Sequence, residues 1–117
     1  MATLLVVEDD PDVLSLLRTV LEEADHVVRT ASTRRRAHEI IGEGGLDLII
    51  SDAVLRGGNG DDVAVSATVV GVPILLISGD SEKIRQLEER SVPCLQKPFR
   101  ASAVVAMVIQ LLGGGTT

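Results

Sequence analysis

Short apolar runs rich in valine, isoleucine and leucine alternate with amphipathic stretches from one end of the chain to the other. That rhythm predicts alternating strands and helices. Residues 4–7 are the first predicted strand. Asp10 follows as helix N-cap and Pro11 as a first-turn residue, where the missing N–H costs nothing. The helix they open carries an inner stripe of Val13, Leu14, Leu17, Val20, Leu21 and Ala24, with Arg18, Glu22 and Glu23 left for water. Residues 26–30 read as a second strand, and 33–41 as a second helix stopped by Gly42. The run 46–51 is apolar on both faces, as in the middle of a parallel sheet covered on each side, and Asp52 ends it.

The loop 57–60, Gly-Gly-Asn-Gly, leads to a helix of weak propensity at 61–70. Val72 and Pro73 punctuate the chain before a fourth strand at 74–78, a charged helix at 81–90, a brief fifth strand at 94–96 and a last helix at 100–112. Five βα units with right-handed crossovers predict an α/β fold: a doubly wound, five-stranded parallel sheet of order 2-1-3-4-5, of flavodoxin-like type.

Composition adds bounds. At 117 residues and 12.4 kDa the chain can bury one core. Its apolar runs fall short of the roughly 18 residues that a membrane span needs, and no secretory signal pattern follows Met1, so a cytoplasmic protein with no membrane role is expected. The single cysteine, Cys94, excludes an internal disulfide. A net charge of -6 disfavours direct nucleic-acid binding; Arg34, Arg35 and Arg36 read as a solvated helix face. His26 and His38 read as ordinary surface or edge residues.

In such a sheet, ligands sit at the carboxyl ends of the strands where strand order reverses. Glu8, Asp9 and Asp52 fall at that edge, with Ser78 and Lys97 contributed by the next two strands. Taken singly, each has a bland explanation as a loop acid, turn residue or surface cation; their convergence is the informative point. Two carboxylates about 4 Å apart repel by about 4 kcal/mol at an effective dielectric near 20, so a cation must answer them. Mg²⁺ suits such oxygen ligands. Asp9 and Asp52 are expected as direct ligands, Glu8 through a water, and the backbone carbonyl of Val54 as a further ligand.

The stretches LLVVEDD at 4–10, LDLIISD at 46–52, ILLISG at 74–79 and KPF at 97–99 together resemble the receiver domains of two-component response regulators, over almost the whole chain. The resemblance implies phosphoryl transfer from the phosphohistidine of a histidine kinase or phosphotransfer protein to Asp52. It also implies charge neutralisation by Lys97, a hydrogen bond from Ser78 to the phosphoryl group and a cis bond before Pro98. On that reading the chain is a signalling domain rather than an enzyme, a stand-alone receiver at 1–112 with a flexible tail at 113–117.

Three departures from the family pattern stand out. Arg56 and Gly57 replace a usual proline, Cys94 stands where an aromatic usually moves with the hydroxyl, and Gly79 and Val54 leave the pocket open without help for a hydrolytic water, which Asp80 is a candidate to orient. On the last helix Val104, Val108 and Leu111 are expected to face the sheet and Val105, Ile109 and Leu112 to lie outside, an apolar stripe that suggests homodimerisation or partner docking through helices 4 and 5. The first helix, near Leu14 and Arg18, is the expected kinase-docking face. The alternatives are a pseudo-receiver acting as an interaction module, against which the intact Asp9, Asp52, Ser78 and Lys97 argue, and a metal-dependent phosphatase or flavin binder. The last two lack, respectively, a second acid two residues from a nucleophile on the first strand and a hydroxyl-rich phosphate loop with aromatic stacking.

Overall fold

Runs of Val, Ile and Leu decide the architecture, because the three central strand segments, at 3–7, 48–52 and 74–78, are apolar and buried on both faces and must be covered twice. The computed structural model describes residues 1–55, 58–59 and 61–113, with the backbone alone at 54–55, 58–59, 61–62 and 64–65. Its strands are β1 (Thr3–Val7), β2 (Val27–Ala31), β3 (Leu48–Asp52), β4 (Val54–Leu55), β5 (Gly58–Asn59), β6 (Ile74–Ser78) and β7 (Cys94–Gln96). Its helices are α1 (Pro11–Glu23), α2 (Arg34–Glu43), α3 (Asp61–Val70), α4 (Ser81–Glu89) and α5 (Ala101–Leu111).

Five strands form one parallel sheet in the order β2-β1-β3-β6-β7, the expected 2-1-3-4-5 once the short pair β4-β5 is set apart. Leu4 and Val6 of β1 face α1 and α5, joining Leu17, Leu21, Leu48, Ile50, Leu75, Ile77, Val104 and Val108 in one buried cluster. Leu5 and Val7 point the other way, toward Ile40 and Ile41 of α2 and Val63 and Ala67 of α3. The fourth helix packs on β6 and β7 through buried Ile84 and Leu87.

Several boundaries differ from the sequence expectation. Helix α2 runs through Gly42 and ends at Gly44, whose φ of 78° and ψ of -174° form a backbone conformation that essentially only glycine adopts. Burial of Ile40 and Ile41 outweighs the roughly 1 kcal/mol that a helical glycine costs. Strand β3 extends through Asp52, because its pairing with Ile77 and the Ala53 N–H bond to the Ile77 carbonyl (2.7 Å) carry the ladder one residue further. Within the expected loop 57–60, Gly58 and Asn59 pair antiparallel with Leu55 and Val54; Arg56, Gly57, Gly60 and the tail beyond Gly113 lie outside the described residues. The expected outer stripe of α5 is narrower. Leu112 packs against the core and Val105 is half-buried, while Ile109 stays 47% exposed.

Candidate functional site

Two alternations and one register bring the acids together. Glu8 continues the Leu4, Val6 side of β1, and Asp52 continues the Leu48, Ile50 side of β3. Since Val6 pairs with Ile50, Glu8 falls opposite Asp52 at the carboxyl edge. The Glu8 N–H bonds the Ala31 carbonyl of β2 at 3.0 Å, which fixes the backbone where β1 ends. Beyond it Asp10 caps α1, its Oδ1 accepting the N–H groups of Asp12 (2.9 Å) and Val13 (3.4 Å), the capping role read from the sequence.

Glu8, Asp9 and Asp52 each offer a carboxylate oxygen, and these oxygens all lie within 4.8 Å of one another. Glu8 is fully buried, Asp52 nearly so, and Asp9 half-buried. The Lys97 ammonium donates to Glu8 Oε1 and, at 3.0 Å, to Asp52 Oδ2. The other Glu8 oxygen, Oε2, accepts the Asp10 N–H at 3.3 Å. Burial pushes the Glu8 carboxyl up to about 7, with Asp52 adding to the rise and the Lys97 hydrogen bond opposing it. Burial pulls Lys97 down, but its bonds to Glu8 and Asp52 outweigh that and hold it above the ordinary lysine range. Three acids against one ammonium leave an excess of negative charge, and an all-oxygen donor set of this kind suits a hard divalent cation.

The remaining sequence-predicted residues lie around this edge. Ser78 is buried at the end of β6, its Oγ accepting the Asp80 N–H at 3.1 Å and its carbonyl accepting the Lys97 N–H at 2.8 Å. The Lys97–Pro98 peptide is cis. Val54 opens β4 two residues beyond Asp52. Asp80 acts as the N-cap of α4, its Oδ1 accepting the Glu82 and Lys83 N–H groups. Burial, then the nearby Glu88, raises the Cys94 thiol, which keeps it protonated. His26 and His38 are half-buried joints away from the acids: His26 Nδ1 accepts the Ala2 N–H at 3.2 Å, and His38 Nδ1 bonds Ser66 Oγ at 2.8 Å. Sequence reasoning missed the direct Glu8–Lys97 contact, since the two residues are 89 positions apart.

A doubly wound sheet with acids and a lysine at its switch point defines a class of α/β ligand-binding protein. The response regulator receiver domain model matches residues 4–109, and the chain belongs to that family, the signalling module of two-component systems. It is 28% identical over 117 residues to the phosphate regulon transcriptional regulatory protein PhoB of Pseudomonas aeruginosa, covering 94% of this chain and 51% of that protein. It is 34% identical over 117 residues to the transcriptional regulatory protein CusR of Escherichia coli, covering 96% and 52%. The chain thus spans about half the length of the curated relatives it matches. Among solved structures, the response regulator TrrA of Thermotoga maritima in complex with Mg(2+)-BeF superposes with a TM-score of 0.84 at 26% identity, covering 95% of this chain and 99% of that one. No helix among the described residues is long and apolar enough to cross a membrane.

Proposed function

We propose that Asp52 is the phosphoacceptor of a two-component pathway, with Mg²⁺ held by Asp9, Asp52 and the Val54 carbonyl and by Glu8 through a water. The observation that carries this reading is the Asp52 carboxylate standing 3.0 Å from the Lys97 ammonium within a three-acid cluster. An Asp52 oxygen attacks the phosphorus of a phosphohistidine on a histidine kinase or phosphotransfer protein. The P–N bond breaks, and its electron pair stays on the imidazole nitrogen, which is protonated from solvent. Such a transfer needs positioning and charge neutralisation more than covalent assistance. Lys97 neutralises an equatorial oxygen, Ser78 turns its hydroxyl inward to donate to another, and buried Glu8 orients the ammonium. Asp9 and Asp52 would hold a Mg²⁺ ion, which would supply further neutralisation of the transferring group's charge.

The fold unit is residues 1–112, acting as a cytoplasmic switch with no direct nucleic-acid contact of its own. The complex of the Thermotoga protein with Mg(2+)-BeF supports both the metal and the phosphoryl mimic as probes. Homodimerisation through α4 and α5 is the accompanying proposal, resting on exposed Ile109 and on a last helix without a charged residue between Ala101 and Leu112. Incubation with acetyl phosphate and Mg²⁺ tests the main reading. One hydroxylamine-labile phosphoryl group is expected by mass spectrometry, and none on Asp52→Asn; labelling that survives this substitution rules the site out.

A further inference from the structure

The first turn of α4 lies beside the site and is tied to it by side chains from two adjacent strands. The Asp80 N–H donates to Ser78 Oγ at 3.1 Å, and Gln96 Nε2 donates to Ser81 Oγ at 2.7 Å. Ser78 and Gln96 are cross-strand partners in the β6–β7 register, so opposite residues on neighbouring strands hold consecutive residues at the start of one helix. Both tethers reach the reacting groups directly. Ser78 is the hydroxyl of the site, and Gln96 precedes Lys97, whose N–H bonds the Ser78 carbonyl at 2.8 Å. The turn they grip is cooperative, because Asp80 also caps the Glu82 and Lys83 amides at 2.9 and 3.4 Å. The chain's one aromatic residue, Phe99, packs instead against the α1/α5 core, so a ring does not link the site to α4.

We propose that Gln96 is a positioning residue that makes the first turn of α4 report occupancy of the site, through its hydrogen bond to Ser81 beside the Ser78–Asp80 bond. The inference rests on the phosphoacceptor reading given above. Rotating the Ser78 hydroxyl toward a phosphoryl group carries Oγ away from the Asp80 amide. The Gln96–Ser81 bond keeps the turn ordered while the site is empty, so that loss of the Ser78–Asp80 bond on filling registers as a change in the turn. Without Gln96 the turn is loosened before any phosphoryl group arrives, and occupancy has little left to change.

Amide hydrogen exchange at Glu82, Lys83 and Ile84, measured by NMR on the full chain with and without beryllofluoride and Mg²⁺, tests this. Fluorine NMR measures occupancy separately in each sample. In the wild type, exchange at these amides should rise several-fold when the site fills. In Gln96→Ala it should rise about 3- to 10-fold in the empty protein, the range expected for one net hydrogen bond, and change less than about twofold on filling. Gln96→Glu, whose carboxylate accepts the Ser81 hydroxyl proton, should restore the wild-type ratio, whereas a merely structural role would leave the filled-to-empty ratio intact in every variant. Ser81→Ala should match Gln96→Ala, with the double variant no worse than either. Normal fluorine occupancy together with a wild-type ratio in Gln96→Ala overturns the inference. Absence of bound fluorine from the wild type overturns the phosphoacceptor reading instead, and unchanged exchange in empty Gln96→Ala refutes the tether by itself.

Discussion

Glu8 is under electrostatic tension, because it is fully buried yet faces both Asp52 and Lys97. Its carboxyl is raised from 4.5 to about 7 on folding, so the folded chain holds this proton more tightly than the unfolded one. The resulting stabilisation is complete below the unfolded value and is lost as pH rises through the folded one. On the proposed reading, a bound Mg²⁺ would compete with that proton. In metal-free buffer, urea midpoints should therefore fall between about pH 5 and pH 8, and apparent Mg²⁺ affinity should rise over the same window with release of a proton. Glu8→Gln should flatten both profiles; steep profiles in that variant would assign the titration elsewhere. The acids were legible in the sequence because they end apolar strands, whereas the Glu8–Lys97 contact was not, since nothing local records which cation a buried acid meets.

At the scale of elements, local chemistry decides where helices start more firmly than where they stop. Asp10 was readable as a cap because an oxygen acceptor, a proline and an apolar stripe coincide, and its Oδ1 does accept the Asp12 and Val13 amides. Asp10→Ala should cost about 1 kcal/mol in urea unfolding, and restoring Ser or Asn at that position should recover most of it. A loss confined to a few tenths would mean that water replaces the cap. The end of α2 was less legible. Gly42 and Gly44 are chemically identical, and the buried contacts of Ile40 and Ile41 carry the helix past the first to the second. Asp80 shows the same limit, since its capping of α4 was not read from its position two residues after Ser78.

For the whole molecule, the question is what covers α5. Its inner residues Val104 and Val108 are buried, while Ile109 remains exposed on a helix without charge. The expected outcome of sedimentation velocity at about 100 μM is a dimer that strengthens with beryllofluoride and is weakened at least tenfold by Ile109→Lys. A monomer under both conditions would remove α4 and α5 as a self-association face. The narrower stripe found here follows from helix rotation, which depends on packing against the sheet and on α1. Spacing along α5 fixes which residues share a side but leaves the depth of Val105 and Leu112 to the neighbours.

The sequence alone determined the count and type of the main strands and helices, their doubly wound order and the set of residues at the carboxyl edge. Those follow from hydrophobic period, turn chemistry and the handedness of crossovers, all of which are local or nearly so. Tertiary structure decided the pairing of Lys97 with Glu8 as well as Asp52, the commitment of Asp80 to α4 and the link from Gln96 to Ser81. Those depend on strand register and on distances of a few ångströms between segments far apart along the chain, where a polar side chain takes whichever partner packing brings within reach.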